Sequence, residues 1–287
     1  TQGVSSAASD VYKRQTWGRV SRHGAFELAA TLDHIGPMTR SAADAGAMLG
    51  AIAGADANDP TASLLPVPDY LADIGKGLAG LRVGIDLRWA TEGVDAPTRE
   101  VFDAAVAAVK TLGGELREVR FPDPAQALAD WFPLCGIEAA VVHEKTYPAR
   151  KEMYGPAVAG LIELGLAQSG TDYQKIVLHR HDFSGRVRAM FEDIDLLLIP
   201  ATGIASPTME RMAQMGVDAE LMAAMLRYTC PFDMTGSPTI TLPGGFTPAG
   251  MPVAFQFVSR HFDEALLVRA GAAFQQLTDW HRRHPAL

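Results

Sequence analysis

The 287-residue chain is poor in cysteine. It has only Cys135 and Cys230, far apart and outside any C-x-x-C spacing. That excludes a disulfide framework or a cysteine-built zinc site and leaves two small core thiols. It lacks an apolar run of the roughly 20 residues needed to cross a bilayer. It also lacks a basic start followed by an apolar segment, the mark of a secretory signal. Positive charge is in deficit: 25 Lys and Arg stand against 33 Asp and Glu, a formal net charge of -8. Phosphate recognition needs clustered cations, so the composition argues against nucleic acid or an anionic membrane surface as a direct partner. The cytoplasm is the default compartment.

Several chemical signatures are missing too. Neither G-x-G-x-x-G nor the Walker pattern occurs, which removes the glycine-rich phosphate loops. G-x-S-x-G is absent, and with it the α/β-hydrolase nucleophile elbow. His143-Glu144 has no second histidine at the H-E-x-x-H spacing. His179-Arg180-His181-Asp182 lies in a helical stretch, where neighbours and i+2 side chains point apart and no third ligand is near. His281 and His284 share a helix face near the C-terminus, where cations complement the helix dipole. No metal and no cofactor are expected.

What is present is an ordinary globular balance, with 48% hydrophobic and 20% charged residues, punctuated by 27 glycines and 18 prolines. The first residues stand apart. The chain opens without Met, and Ser5 to Gln15 (SSAASDVYKRQ) resembles the translation of a transposon adapter used in DNA library preparation. Residues 1–15 are therefore set aside as a non-native tail, expected to pack against nothing, with a disordered natural tail as the alternative.

Thr16 to Pro37 reads as loop with short strands. Ser41 to Ala53 is a helix opened by a Ser41/Asp44 capping box, with Ala45, Met48, Leu49 and Ile52 inward and Gly54 at its end. Asp56 to Tyr70 is an ordered loop. Leu81–Ile85, a helix from Pro97 stopped by Gly113 and Gly114, and a strand through Leu116, Val119 and Phe121 form a βαβ unit with parallel pairing. Residues 125–192 are mainly helical, with breaks near Pro148, Pro156 and Gly170. Asp195–Pro200 is a short, fully buried strand. A helix over Val217–Tyr228 follows. Thr239–Pro243 and Val253–Val258 flank Thr247-Pro248-Ala249-Gly250 as a hairpin. Phe262 to His281 closes the chain as an amphipathic helix, with Leu266, Leu267, Ala270, Phe274 and Leu277 inward. This alternation predicts an α/β fold, a mixed central sheet covered by helices on both faces.

No serine announces itself as a nucleophile, because none has a visible base or oxyanion hole beside it. Ser237, between Gly236 and Pro238, is the best placed for a pocket; a turn residue ahead of a strand is the plainer reading.

Two groups of residues add a resemblance. TWGRVSRHG (16–24) and TLDHIGPMTR (31–40) come first. PFDMTGSP (231–238), LPGGF (242–246), GMPV (250–253), FDEALL (262–267) and TDWH (278–281) follow in order. Together they resemble the amidase-signature family over essentially Thr16 to Pro285, with the middle third loose. The resemblance implies a three-layer α/β sandwich, incomplete here at its N-terminal side, with residues 16–287 as the C-terminal part of one amidase domain. It implies hydrolysis of a small-molecule amide, or transfer of the released ammonia. In the family a serine attacks the carbonyl, a second serine held by a cis peptide relays the proton to a neutral lysine, and backbone N–H groups hold the oxyanion. Those groups lie upstream of the position of Thr16, so no catalytic residue maps onto this chain, and the chain alone is expected to be inactive. The resemblance implies substrate contact for Phe232, Asp233, Thr235 and Ser237. Asp233 stands where many relatives have Asn, a charge that would alter substrate preference. Asp33 is read as structural, a carboxylate fixing loop N–H groups.

Three functional classes follow. The first is an amidase of small or aryl amides, a homodimer being compatible with it. The second is the A subunit of a tRNA-dependent glutamine amidotransferase, discriminated by glutaminase activity and partner subunits. The third is a non-catalytic binding protein built on this half-fold.

Overall fold

The computed structural model describes residues 11–283. The elements are β1 (Val11–Arg14), β2 (Met38–Thr39), α1 (Ala42–Ile52), β3 (Arg82–Ile85), α2 (Leu87–Thr91), α3 (Ala96–Thr111), β4 (Glu115–Glu118), α4 (Ala125–Val142), α5 (Pro156–Leu166), α6 (Gly170–Met190), β5 (Leu196–Pro200), α7 (Met209–Met212), α8 (Ala219–Leu226), α9 (Cys230–Thr235), β6 (Thr239–Phe246), β7 (Pro252–Ser259) and α10 (Glu264–Leu277). Short 3-10 turns span Lys151–Met153 and Trp280–Arg282.

The strands form one sheet in the order β2-β1-β6-β7-β5-β3-β4. β3 pairs in parallel with β4 and β5, as the βαβ spacing predicts. The other pairings are antiparallel, with β6 and β7 as the hairpin and an irregularity at Pro243/Gly245. Every residue of β5 is buried, because both sheet faces are covered.

Each face has its own core. Phe102, Ala105 and Val109 of α3 and Leu267, Ala270 and Phe274 of α10 pack on one face, against Leu198, Leu242 and Phe255. On the other, Leu134 of α4, Phe183 and Val187 of α6 and Phe232 of α9 pack against Leu197, Ile199 and Val258. Three of the long helices carry caps that the sequence supplies: Ser41, Asp95 and Ser169 each accept a backbone N–H in the first turn. Asp86 both caps α2 at Trp89 N (3.0 Å) and accepts from Phe121 N (2.8 Å), tying the end of β3 to the loop that follows β4. α4 and α5 cross at a glycine contact. A Cβ on Gly136 would lie 2.6 Å from the Leu161 carbonyl oxygen, and one on Gly165 would overlap the Gly136 carbonyl.

Four expectations need correction. Val11–Gln15 do pack: β1 fills the space between β2 and β6, and Val11, Lys13 and Gln15 are buried. Without it the N–H and C=O groups of β6 would form an unpaired edge. Burial pushes the Lys13 ammonium down to about 8, against the opposing pull of Glu264 and Asp263. Residues 1–10 and His284 lie outside the described residues. Met48 and Leu277 are not inward; both are 45% exposed, at the margins of their helical stripes. Phe232 to Thr235, to which the sequence reading assigns no helix, belongs to a short one, because Pro231 suits a first turn and Gly236 closes it in the left-handed conformation (φ 67°).

Candidate functional site

The segment from Cys230 to Pro238 is held between the N-terminal loops and the helices of one face. Trp17 N donates to Gly236 O at 3.1 Å. A Cβ at Gly236 would sit 3.0 Å from the Trp17 Cβ, so both φ and space require glycine. The four anticipated contact residues then diverge. Phe232 is fully buried; its ring lies 5.5 Å from Phe121 and 6.4 Å from Trp89, which itself stacks on Phe121 at 4.0 Å. It therefore has no surface to offer a substrate and serves as the anchor of α9.

Thr235 and Ser237 point together. Their hydroxyls are 2.7 Å apart and both side chains are buried. They form part of the wall of a cleft of about 240 Å³, with Ser184, Val187 and Arg188 of α6 and His261 after β7. Burial pushes the His261 imidazole below its usual value, countered in part by a hydrogen bond with the Thr235 backbone.

Asp233 faces the other way, into a polar niche. Trp131 Nε1 of α4 donates to Oδ2 at 2.8 Å. Oδ1 lies 3.5 Å from both Arg14 Nη1 and His34 Nδ1. Burial alone would raise this carboxyl, but the Arg14 charge and the His34 and Trp131 contacts outweigh it. The group is held below the usual carboxylate range. Asp233 is therefore ionised at neutral pH, with 17% of its side chain exposed.

Arg180 of α6 joins the parts. Its Nε donates to Met234 O at 2.6 Å, and its Nη1 and Nη2 to Thr31 Oγ1 (2.6 Å) and Thr31 O (2.8 Å). Thr31 in turn donates to Glu138 through its backbone N (2.8 Å) and its hydroxyl (2.5 Å). Asp33 accepts from Leu28 N and Ala29 N, the structural role read from the sequence.

Trp131 and Glu138 escaped the sequence reading, since each sits in an ordinary helix; Thr31 and His34 lie in the quoted 31–40 segment but were given no role. Arg180 lay inside the H-R-H-D run, where attention fell on the histidines. Of those, His179 Nδ1 meets Asp130 at 2.9 Å. Cys135 and Cys230 are buried thiols, and burial pushes both above the usual range. Among the described residues no helix is long and apolar enough to cross a membrane.

Comparison with known proteins accounts for this frame. The family model described as Amidase matches residues 14–268, and the chain belongs to that family. It is 45% identical over 273 residues to the Mycobacterium tuberculosis protein named "Putative amidase AmiD", covering 95% of this chain and 57% of that one. It is 32% identical over 302 residues to the A subunit of the glutamyl-tRNA(Gln) amidotransferase of a Geobacter species, covering 96% and 61%. The solved structure of 6-aminohexanoate cyclic dimer hydrolase with substrate superposes with a TM-score of 0.85. It is 24% identical, covers 98% of this chain and 63% of the other, and shows the same fold. The chain thus spans about three-fifths of the length of these relatives.

Proposed function

We propose that residues 16–287 are the C-terminal part of an amide hydrolase that cleaves a small or aryl carboxylic amide to the acid and ammonia. The observation that carries this reading is the family match across 14–268 together with 45% identity to a protein named as an amidase. In this reading the nucleophilic serine, its cis-peptide serine and the base lysine come from an upstream segment. The described residues supply a wall of the substrate pocket: the ionised Asp233 on one side of α9, the Thr235–Ser237 hydroxyl pair on the other. Phe232 is withdrawn from direct contact and acts by fixing α9. The chain alone does not turn over.

A second reading, the A subunit of an amidotransferase, is favoured by the 32% likeness to the Geobacter protein. It predicts release of ammonia from glutamine and partner subunits. The two separate in one assay, in which the chain with its native upstream segment is offered benzamide, propionamide and glutamine and ammonia is measured. Turnover of the simple amides supports the hydrolase; turnover of glutamine alone replaces it with the amidotransferase.

A further inference from the structure

The last turns of α6 turn one face toward the residues that follow α9. Ser184, Val187, Arg188 and, at the helix cap, Phe191 recur there at helical spacing. With Thr235 and Ser237 they line the cleft of about 240 Å³. Val187 and Phe191 are buried and give it an apolar side. The volume is below the roughly 300 Å³ at which sites for drug-sized ligands begin, so it suits a small occupant.

The polar groups of this cleft have more to donate than the protein accepts. Thr235 and Ser237 are 8% and 2% exposed. Their hydroxyls, 2.7 Å apart, hold two protons, and one lies between them. The other has only the Phe232 carbonyl, 3.4 Å from Thr235 Oγ1, outside the 2.5–3.0 Å of an ordinary O–H···O bond. Among the described residues the Ser184 hydroxyl makes no hydrogen bond, and the Arg188 guanidinium makes neither a hydrogen bond nor an ion pair. Glu192, four residues on, is the usual partner at that spacing, but α6 has ended at its Phe191 cap and Glu192 stands off the helix face, exposed at the rim of the cleft. Arg260, also at the cleft, is committed to the Phe191 and Ile194 carbonyls and to Asp195. Three uncommitted donors, one of them a cation, thus border one small space with an apolar side. An ionised carboxyl group accepts only and has the oxygens to take them; a neutral amide would leave the guanidinium without a counter-charge.

We propose that this cleft binds a small carboxylate on a short apolar body, with Arg188 as the cationic fork and the Thr235–Ser237 pair as the buried donor. This rests on the proposed pocket role of the hydroxyl pair and names the charge that the pocket takes. The carboxylate has two sources, the acid product and the far end of a substrate amide.

The test titrates the purified chain with butyrate (anionic) and butyramide, its neutral isostere, and follows the Val187 methyl signals by NMR, assigned with Val187→Ile. Butyrate is expected to bind about fivefold tighter or more, the margin between charged and neutral hydrogen bonds, and to lose most of that margin in high salt. Arg188→Gln, a change at an exposed residue, should bring butyrate to the level of butyramide, and Glu192→Gln should tighten butyrate alone. Thr235→Val combined with Ser237→Ala should weaken both probes. Melting curves check that this double variant folds; where it does not, the two surface variants decide. No binding of butyrate, equal affinity of the two probes, or butyrate binding unchanged in Arg188→Gln would overturn the proposal. In the upstream-extended enzyme the two sources separate. Competitive inhibition of butyramide turnover by butyrate, relieved in Arg188→Gln, marks the product acid. Preference for succinamate over butyramide, abolished in the same variant, marks a carboxylate on the substrate. An extended enzyme that turns over butyramide and shows neither effect would overturn the pocket role of the cleft. One that turns over no amide would instead remove the hydrolase reading and leave the affinities of the chain standing.

Discussion

The Nε of Arg180 donates to the carbonyl of Met234 at 2.6 Å, across 54 residues of chain. The same guanidinium holds Thr31 through two further bonds, so one side chain sets the distance between the N-terminal loop and α9. Arg180→Met should lower stability by about 2–3 kcal/mol, the size of hydrogen bonds to a charged group that then go unmade. A urea titration reads this as a lower midpoint with the slope unchanged. A shift no larger than that of a surface substitution would show that the clamp is redundant.

The crossing of α4 and α5 leaves no room for a methyl group. Gly165→Ala should cost about 3 kcal/mol, because the neighbour is the backbone carbonyl of Gly136 and not a flexible side-chain end. Gly160→Ala, on the same helix with nothing within 4 Å, should be neutral or slightly stabilising through helix propensity. Thermal melting of the two variants side by side checks the contrast.

Asp59 fixes the loop below the first core. It accepts from the Thr61 hydroxyl (2.5 Å) and backbone and from Arg22 N, which hold its pKa at about 2 against an ordinary 3.8. The folded-state value is depressed, so this stabilisation is complete above the unfolded value and is lost as pH falls from there through about 2. Asp59→Asn removes that titration. Urea midpoints at about pH 5 and about pH 2.5 should therefore fall further in the parent chain than in the variant. Equal falls would remove Asp59 as a source of acid sensitivity.

Asp33 is a smaller case of the same kind. Its carboxylate collects the N–H groups of Leu28 and Ala29, at 2.8 and 3.1 Å. Asp33→Ala should destabilise by about 1–2 kcal/mol, the loss of a capping carboxylate. Amide exchange should quicken at 28 and 29 before it does in the sheet. Uniform quickening across the sheet would mean that the loop unfolds with the whole domain.

Much of the fold was legible because local chemistry and global packing agree. Ser41, Pro97, the Gly113-Gly114 stop and the apolar run 196–200 each carry a local cause that the structure uses. The α9 helix was missed because six residues give too little periodicity to separate a turn of helix from a Pro- and Gly-bounded loop. β1 was missed for another reason: its strand character comes from pairing with Thr239–Thr241, more than two hundred residues away. The site was less legible. Asp233 could be singled out from its motif, yet Trp131 and His34 reach it, and Arg180 reaches the adjacent Met234, from three separate segments, and nothing local marks a side chain whose role is set by long-range packing.

The most direct test of the central claim is ammonia release by the chain joined to its native upstream segment, sequenced from unamplified DNA, with benzamide and propionamide as substrates. The account predicts turnover by the extended protein, none by the present chain alone, and loss of turnover when the upstream serine or lysine is replaced. A native locus without such a segment, or an extended protein that releases no ammonia from any amide, would contradict it.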